Sequence, residues 1–237
     1  MSVLQTSPFA RPRLTFQPTG AYRAHIALAE LALPYDEEII DLNTPRPASY
    51  LKINPRGQVP AMTIDNKTIT ESAIVATYLA DRFPSKLLPA SSDPEGPHVR
   101  SKINYFVDAY FSRVQSFWGK VLGAKTDAEE KAAASAYVEA VSREVEPLLS
   151  DAGPFFGGSE TLTLAEVLAG SWILRVYTLP KYGIVPASIL EDLASKAPNF
   201  DKWAREVIKH PSVLCIWDEE KIVEGTRGWI GKMRGKV

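Results

Sequence analysis

Two short segments, Val59-Pro60 and Glu71-Ser72, carry the groups best suited to holding a small peptide-like ligand. Proline cannot donate to a sheet ladder, so Pro60 is expected at the first residue of a strand or at an edge. Proline also pushes the preceding residue, Val59, into an extended conformation. The N–H and C=O of Val59 are then available to a ligand that adds as a short strand.

Glu71 and Ser72 stand where the sequence predicts the start of a helix. The first N–H groups of a helix lack intrahelical partners and favour anions. Ser72 can offer both its hydroxyl and its N–H to a carboxylate, and Glu71 can accept from an ammonium group. The two segments together therefore offer partners for a peptide backbone, a carboxylate and an amine.

Hydrophobic periodicity and turn residues predict the elements that must position these segments. We expect strands at 13–17, 35–42, 60–64 and 67–70, with a hairpin turn at Asp65-Asn66 joining the last two. We expect helices at 20–33 and 72–83, and a short helix or turn at 46–53. The resulting order, β-α-β-α-β-β-α, is close to a thioredoxin-like order.

The composition changes after residue 83. Prolines at 84, 89, 94 and 97 mark 84–97 as a linker, and helical patterns follow at 99–122, 127–149, 163–177 and 199–209. Thr163-Leu-Ala-Glu166 matches a capping box at the start of the most apolar of these helices. We therefore predict an irregular arm at 1–12, a thioredoxin-like domain at 13–83, the linker, and an all-helical domain at 98–237.

Length, charge and cysteine content limit the classes of function. A chain of 237 residues has room for two small domains. A net charge of -1 gives no reason to expect nucleic acid or an anionic membrane as a partner, and no apolar run is long enough to span a bilayer. The single cysteine, Cys215, is expected to pack in the core, and the three histidines show no metal-ligand spacing. We expect no metal and a cytoplasmic location.

Several signatures occur in a fixed order along the chain, namely Asn54-Pro-Arg-Gly-Gln-Val-Pro60, Glu71-Ser-Ala-Ile74, Tyr78-Leu79, Thr163-Leu-Ala-Glu166, Asn199-Phe-Asp-Lys-Trp203 and His210-Pro-Ser-Val213. With the two-part organisation, they resemble the soluble glutathione S-transferase superfamily, nearest to its fungal and zeta-like members, over roughly residues 13–217. The resemblance implies an α/β thioredoxin-like N-terminal domain followed by an all-α C-terminal domain. It also implies glutathione as the co-substrate and a two-fold homodimer.

The resemblance further implies a glutathione site made of Arg46, Gln58, Val59, Pro60, Glu71 and Ser72. Val59 would pair its backbone with the cysteinyl unit, and the bond from Val59 to Pro60 would be cis. Glu71 and Ser72 would hold the γ-glutamyl end. Gln58 matches a position that touches the tripeptide, and Arg46 and Arg56 would meet the glycyl carboxylate.

The loop after the first strand, Gln17-Pro-Thr-Gly-Ala-Tyr-Arg23, departs from that family. Serine- and cysteine-type members carry a Ser or Cys there that faces the glutathione sulfur, and here the usual position falls on Pro18. Thr19 is the nearest hydroxyl, and the N–H groups of Gly20 and Ala21 lie at the partially positive start of a helix. We predict that Thr19, Gly20 and Ala21 stabilise the thiolate. In the alternative interpretation, Thr19 is only the N-cap of that helix.

The helix at 99–122 contains more aromatic residues than one buried stripe can take. Some of them should line the cleft between the domains, where small apolar ligands tend to bind. The residues expected to face an apolar electrophilic or polyunsaturated small molecule are Tyr105, Asp108, Phe111, Ser112 and Gln115. Arg23 is expected to pair with a carboxylate across the domains. The segment from Thr226 to Trp229 either closes over the cleft or is a tail without a role.

Three functions remain open at this point. In the first, the glutathione thiolate attacks an electrophilic carbon of an apolar molecule and gives a thioether. In the second, glutathione adds to a conjugated double bond, the bond rotates, and glutathione leaves, which makes the protein a cis–trans isomerase. In the third, the protein binds glutathione or has a structural role, without turnover. The lack of a Ser or Cys in the loop after the first strand is the feature that suggests this function.

Overall fold

A four-stranded mixed sheet with three helices forms the first part of the chain. The computed structural model describes residues 12–16, 22–41 and 44–233. In chain order the elements are β1 (Arg13–Phe16), α1 (Tyr22–Glu30), β2 (Asp36–Ile39), α2 (Ala48–Ile53), β3 (Ala61–Ile64), β4 (Lys67–Thr70) and α3 (Ser72–Arg82). The strand order is β2-β1-β3-β4, with β1 and β2 parallel and the other neighbours antiparallel. The predicted thioredoxin-like order is confirmed.

The hairpin between β3 and β4 shows why these residues fold as the sequence predicts. Asp65 and Asn66 have φ angles of 49° and 60°, the left-handed region that Asp and Asn tolerate better than other side chains. Two successive residues of this kind give the turn whose twist matches the flanking strands. The turn thereby fixes the register that places Ile64 opposite Lys67.

The rest of the described chain is helical. It contains α4 (Gly96–Asp108), a π-helical segment (Ala109–Val114), α5 (Gln115–Gly123), α6 (Asp127–Glu144), α7 (Leu164–Thr178), α8 (Ser188–Lys196), α9 (Pro198–Val207), α10 (Pro211–Leu214) and α11 (Glu219–Met233). Short 3-10 turns lie at Glu146–Leu149, Phe156–Gly158 and Leu179–Tyr182. None of the helices in the described ranges is long and apolar enough to cross a membrane.

The helical part differs from the prediction in three ways. First, α4 begins at Gly96, inside the predicted linker, because Pro97 sits in the first turn where its missing N–H costs no hydrogen bond. Second, the helix predicted at 99–122 is not one regular α-helix, since the π-helical segment separates α4 from α5. Third, the sequence pattern did not single out α8, α10 and α11.

The capping box at the start of α7 is present and extends beyond the helix it caps. Thr163 accepts from the N–H of Ala165 at 3.2 Å, while one Glu166 oxygen accepts from the Thr163 N–H at 2.8 Å and hydroxyl at 2.7 Å. The other Glu166 oxygen accepts from the Phe156 N–H at 2.8 Å and the Trp203 indole N–H at 2.6 Å. The fully buried Glu166 therefore joins α7 to α9 and to the turn at Phe156.

Arg23 of α1 joins the sheet-containing half to the helical half. Its Nε donates to the carbonyl of Leu168 in α7 at 2.9 Å, and its guanidinium lies over the ring of Phe111 at 4.4 Å. The expectation of a carboxylate partner was wrong, because a backbone carbonyl and an aromatic face receive the cation instead. At the other end of α1, Ser212 donates to Glu30 at 2.6 Å. These contacts fix α1 against α7 and α10.

Candidate functional site

The loop that leads into β3 is held by hydrogen bonds to its own backbone. The Tyr50 hydroxyl and the Asn54 side-chain amide, at 2.7 Å, both donate to the carbonyl of Gln58. Gly57 has a φ of 63°, and a β carbon there would lie 3.2 Å from Cγ of Arg46. The predicted ligand-binding segment is therefore presented by a rigid turn, with the Gln58 side chain exposed.

Val59 and Pro60 follow this turn, and the peptide bond between them is cis, as the resemblance implies. Pairing of β3 with its neighbours begins at Ala61, opposite Thr15 and Thr70. Among the described residues, no hydrogen bond uses the N–H or C=O of Val59. This short piece of backbone can therefore accept and donate to an extended peptide, as the sequence predicts.

Glu71 and Ser72 lie at the start of α3, which begins at Ser72. Glu71 has a φ of 71°, uncommon for a residue other than glycine and found disproportionately at functional sites. No side chain in the described ranges caps this helix start, and its first turn contains no acidic residue. The first N–H groups of α3 therefore remain suited to an anion.

The two arginines near this site have different surroundings. Arg46 makes three hydrogen bonds to backbone carbonyls, those of Asp41 at 3.2 Å, Thr44 at 2.8 Å and Gly57 at 3.0 Å, so it braces the loop. Arg56 is exposed and pairs with Glu71 at 3.2 Å. Because such an exposed pair contributes about 0–1 kcal/mol, a ligand ammonium can replace Arg56 at little cost. The roles of both arginines toward a glycyl carboxylate stay predictions.

The predicted thiolate-stabilising residues Thr19, Gly20 and Ala21 lie outside the described residues. Directly after them, α1 begins at the buried residue Tyr22. The ring of Tyr22 lies 5.7 Å from that of Trp217, and the guanidinium of Arg175 lies 5.1 Å from the Tyr22 ring. The start of α1 thus adjoins the helical half of the protein.

A cavity of about 520 Å³ opens between α5, α7 and α11. Apolar and aromatic side chains make up most of its wall. Arg175 also lines the cavity and contacts Tyr22, so the cavity lies near the start of α1. A volume of this size is typical of sites for small organic molecules. The lining residues are Gln115, Trp118, Gly119, Leu122, Trp172, Arg175, Leu179, Lys221, Ile222, Gly225, Thr226 and Trp229.

Of the five residues predicted to face the small molecule, Gln115 lines this cavity. Tyr105, Asp108 and Ser112 are exposed, and Phe111 packs beneath Arg23. The π-helical segment changes which face of the helix reaches the cavity, and a regular α-helical pattern does not include that change. The roles of the other four residues stay predictions.

The sequence offered one further wall of the cavity as an alternative and gave no indication of another. Thr226 and Trp229 lie in α11 on the cavity wall, which agrees with the interpretation that this segment borders the cleft and contradicts the tail. Trp172 and Arg175 lie in α7, which the sequence marked as a buried helix. The available signal was a single basic residue in a largely apolar helix, since a charge rarely occupies such a position without a reason.

Known proteins resemble this chain in both sequence and fold. A sequence profile described as the glutathione S-transferase N-terminal domain matches residues 21–82. A probable glutathione S-transferase, parC of Nicotiana tabacum, is 27% identical over 210 residues, which are 85% of this chain and 86% of the relative. Residues 21–82 thus match a glutathione S-transferase N-terminal domain, and the chain is similar to a glutathione S-transferase over most of its length.

Two further matches extend the comparison. The crystal structure of rice GST1 in complex with glutathione superimposes with a TM-score of 0.79 at 22% identity, covering 95% of this chain and 99% of the other. The maleylacetoacetate isomerase of Pseudomonas aeruginosa is 36% identical over 84 residues, which are 33% of this chain and 39% of the relative. The first match shows the shared fold of the two parts.

The chain has one cysteine, whose surroundings disfavour the thiolate form. Cys215 is exposed rather than packed in the core, because Val213 takes the buried position of the short helix α10. Although the residue as a whole is exposed, partial desolvation of its thiol raises the pKa of Cys215 from an ordinary value of 9.0 to about 11. The thiol therefore stays protonated at neutral pH, and we assign it no catalytic role.

We expect the folded protein to react about tenfold more slowly with iodoacetamide at pH 8 than the unfolded chain does. The raised pKa leaves about 100-fold less thiolate, and the higher nucleophilicity of a more basic thiolate offsets part of that loss. The alkylation rate of the folded protein should keep rising as the pH approaches 11. Equal rates for folded and unfolded chain at pH 8 would contradict the raised pKa.

Proposed function

We propose that this chain is a glutathione-dependent transferase that activates the glutathione thiol for attack on an electrophilic apolar small molecule. The observation that carries the proposal is that, within 12–16, 22–41 and 44–233, the backbone of Val59 forms no hydrogen bond and no side chain caps the start of α3. Glutathione has a peptide backbone, two carboxylates and one ammonium group, and this site offers a partner for each. The match of residues 21–82 to the glutathione S-transferase N-terminal domain and the likeness to the glutathione-bound rice structure support the same ligand.

In the proposed arrangement, different residues bind the tripeptide, stabilise its thiolate and bind the electrophile. The backbone of Val59 holds the middle of the tripeptide, while Glu71 and Ser72 hold its γ-glutamyl ammonium and carboxylate. Thr19 and the N–H groups of Gly20 and Ala21 stabilise the thiolate after its proton passes to solvent. The cavity at α5, α7 and α11 holds the electrophile.

The proposed reaction is a displacement at carbon. The thiolate sulfur forms a bond to the electrophilic carbon, the leaving group departs with the electron pair of its bond, and the thioether is released. Mixing the protein with glutathione and a chlorinated dinitroaromatic tests the scheme. We expect thioether to form faster than in a protein-free control. Glutathione binding without thioether formation would instead favour the reading without turnover.

Replacing Thr19 with valine is expected to raise the pKa of the bound glutathione thiol by about one unit and to lower kcat about tenfold. The reason is the loss of one hydrogen bond to a charged sulfur, since one pKa unit corresponds to about 1.4 kcal/mol. The ultraviolet absorbance of the thiolate, followed against pH, measures the first effect, and Thr19→Ser is the matched control. Unchanged turnover in Thr19→Val would mean that the backbone N–H groups of Gly20 and Ala21 stabilise the thiolate without Thr19.

A second function is favoured by the maleylacetoacetate isomerase relative, which matches part of the chain. In this alternative, glutathione adds to a conjugated double bond and leaves after the bond rotates, so that it is not consumed. The predicted glutathione site is the same in both functions. A maleyl-type substrate that isomerises with no net loss of glutathione would select the isomerase.

A further inference from the structure

Arg175 is a cation on the wall of an otherwise mostly apolar cavity. The side chain extends from α7 and is partly buried. The neighbouring walls carry the indole rings of Trp118, Trp172 and Trp229. The other basic residue on the wall, Lys221, forms an ion pair with Asp218 at 2.7 Å. The partner of Arg175, by contrast, needs to be identified.

The contacts of Arg175 leave its charge without a carboxylate. Its Nη1 donates to the carbonyl of Ser171 at 2.6 Å, within the same helix. Its guanidinium lies 5.1 Å from the ring of Tyr22, 5.5 Å from that of Trp172 and 5.7 Å from that of Trp217. These aromatic faces attract a cation, although more weakly than a carboxylate does.

No acidic side chain of the protein completes this site. None of the ion pairs within 12–16, 22–41 and 44–233 includes Arg175. The stretches outside those ranges contain no aspartate or glutamate. Burial lowers the pKa of Arg175, but a guanidinium remains protonated in proteins. A charge that is partly removed from water beside apolar walls favours an anionic partner, so the cavity has a place for one next to Arg175.

We propose that the cavity takes an aromatic co-substrate that carries an anionic group, such as a carboxylate, and that Arg175 pairs with that group. The inference rests on the proposed transferase function and narrows its substrate class. The tryptophan rings pack against the aromatic part of the molecule, and the fork of the guanidinium matches the two oxygens of a carboxylate.

Two matched pairs of ligands test the proposal. The unreactive pair is dinitrobenzoate and dinitrobenzamide, which have the same ring and differ in charge. The reactive pair is a chlorodinitrobenzoate and its carboxamide. Calorimetry gives the affinities of the unreactive pair, and kcat/KM with glutathione is measured for the reactive pair. The proteins are the unmodified chain, Arg175→Leu, Arg175→Lys and the control Arg227→Leu, whose residue lies in α11 outside the cavity wall.

We expect the unmodified protein to bind dinitrobenzoate about tenfold or more tightly than dinitrobenzamide, and to show the same preference in kcat/KM. Arg175→Leu should lose the preference while still binding the amide, Arg175→Lys should keep part of it, and Arg227→Leu should keep all of it. Equal affinity of the unmodified protein for both ligands would overturn the proposal. So would a preference that survives in Arg175→Leu.

Two further outcomes separate this inference from the proposed function. If Arg175→Leu lowers kcat/KM equally for both electrophiles and leaves the binding preference unchanged, Arg175 acts on the shared sulfur and the proposal fails. If the unmodified protein shows the binding preference but no thioether forms, the transferase function fails and the anion site stands. Should Arg175→Leu not fold, as judged by its melting curve, the unmodified protein and Arg175→Lys still decide the question.

Discussion

Replacing Glu166 with glutamine is expected to lower the free energy of unfolding by about 3 kcal/mol, the largest effect that we predict for a single substitution. The carboxylate accepts four hydrogen bonds, two at each oxygen, and it is fully buried. An amide has donors on one side, so either orientation places N–H groups against two existing donors. Burial raises the pKa of Glu166, whereas these donors favour the ionised form.

Denaturant unfolding followed by fluorescence measures this change in stability. The matched control is Thr163→Ser, which keeps the hydroxyl that donates to Glu166 and should stay within about 1 kcal/mol of the unmodified protein. A glutamine variant as stable as the unmodified protein would show that the four hydrogen bonds contribute little.

Replacing Ser72 with alanine is expected to weaken glutathione binding about 10-fold to 100-fold. A hydrogen bond to a charged group contributes about 1.5–3 kcal/mol, and about 1.4 kcal/mol corresponds to a factor of ten in Kd. No side chain of the described chain caps α3, so the variant removes a ligand contact without removing a helix cap. Stability should therefore change little while affinity falls.

Isothermal calorimetry with glutathione measures this loss, and two variants serve as controls. Ser72→Thr retains the hydroxyl and should keep most of the affinity. Ser101→Ala removes a hydroxyl from α4 that donates to the carbonyl of His98, and should leave glutathione binding unchanged. If Ser72→Ala binds glutathione as tightly as the unmodified protein, the start of α3 does not hold the γ-glutamyl carboxylate.

Local signals allowed the sheet-containing half and the start of α7 in the helical half to be predicted from the sequence. Asp65-Asn66 specified the hairpin, Pro60 the beginning of β3, and Thr163 with Glu166 the start of α7. Each signal works within a few residues, where backbone geometry follows from residue type. The domain boundaries, the homodimer and the cytoplasmic location are not tested by these features and stay predictions.

The cavity could not be predicted in the same way, because distant parts of the chain form its wall. Arg175 of α7 and Trp229 of α11 meet there through tertiary packing, which hydrophobic periodicity does not specify. Arg23 gives a related lesson, since its partners are a backbone carbonyl and a ring. A charge in an apolar helix predicts that a partner exists but does not identify it.

The π-helical segment, Ala109–Val114, corrects the rotation of the helix that runs from α4 into α5. Phe106, Tyr110, Val114, Trp118 and Leu122 are all buried and lie four residues apart. In a regular α-helix each such step turns the side chain by about 40°, so the first and last of them would point in widely different directions. The wider π turn cancels part of that drift. The continuous helix from α4 to α5 can therefore pack Phe106 into the core near its beginning and still place Trp118 and Leu122 on the wall of the ligand cavity near its end.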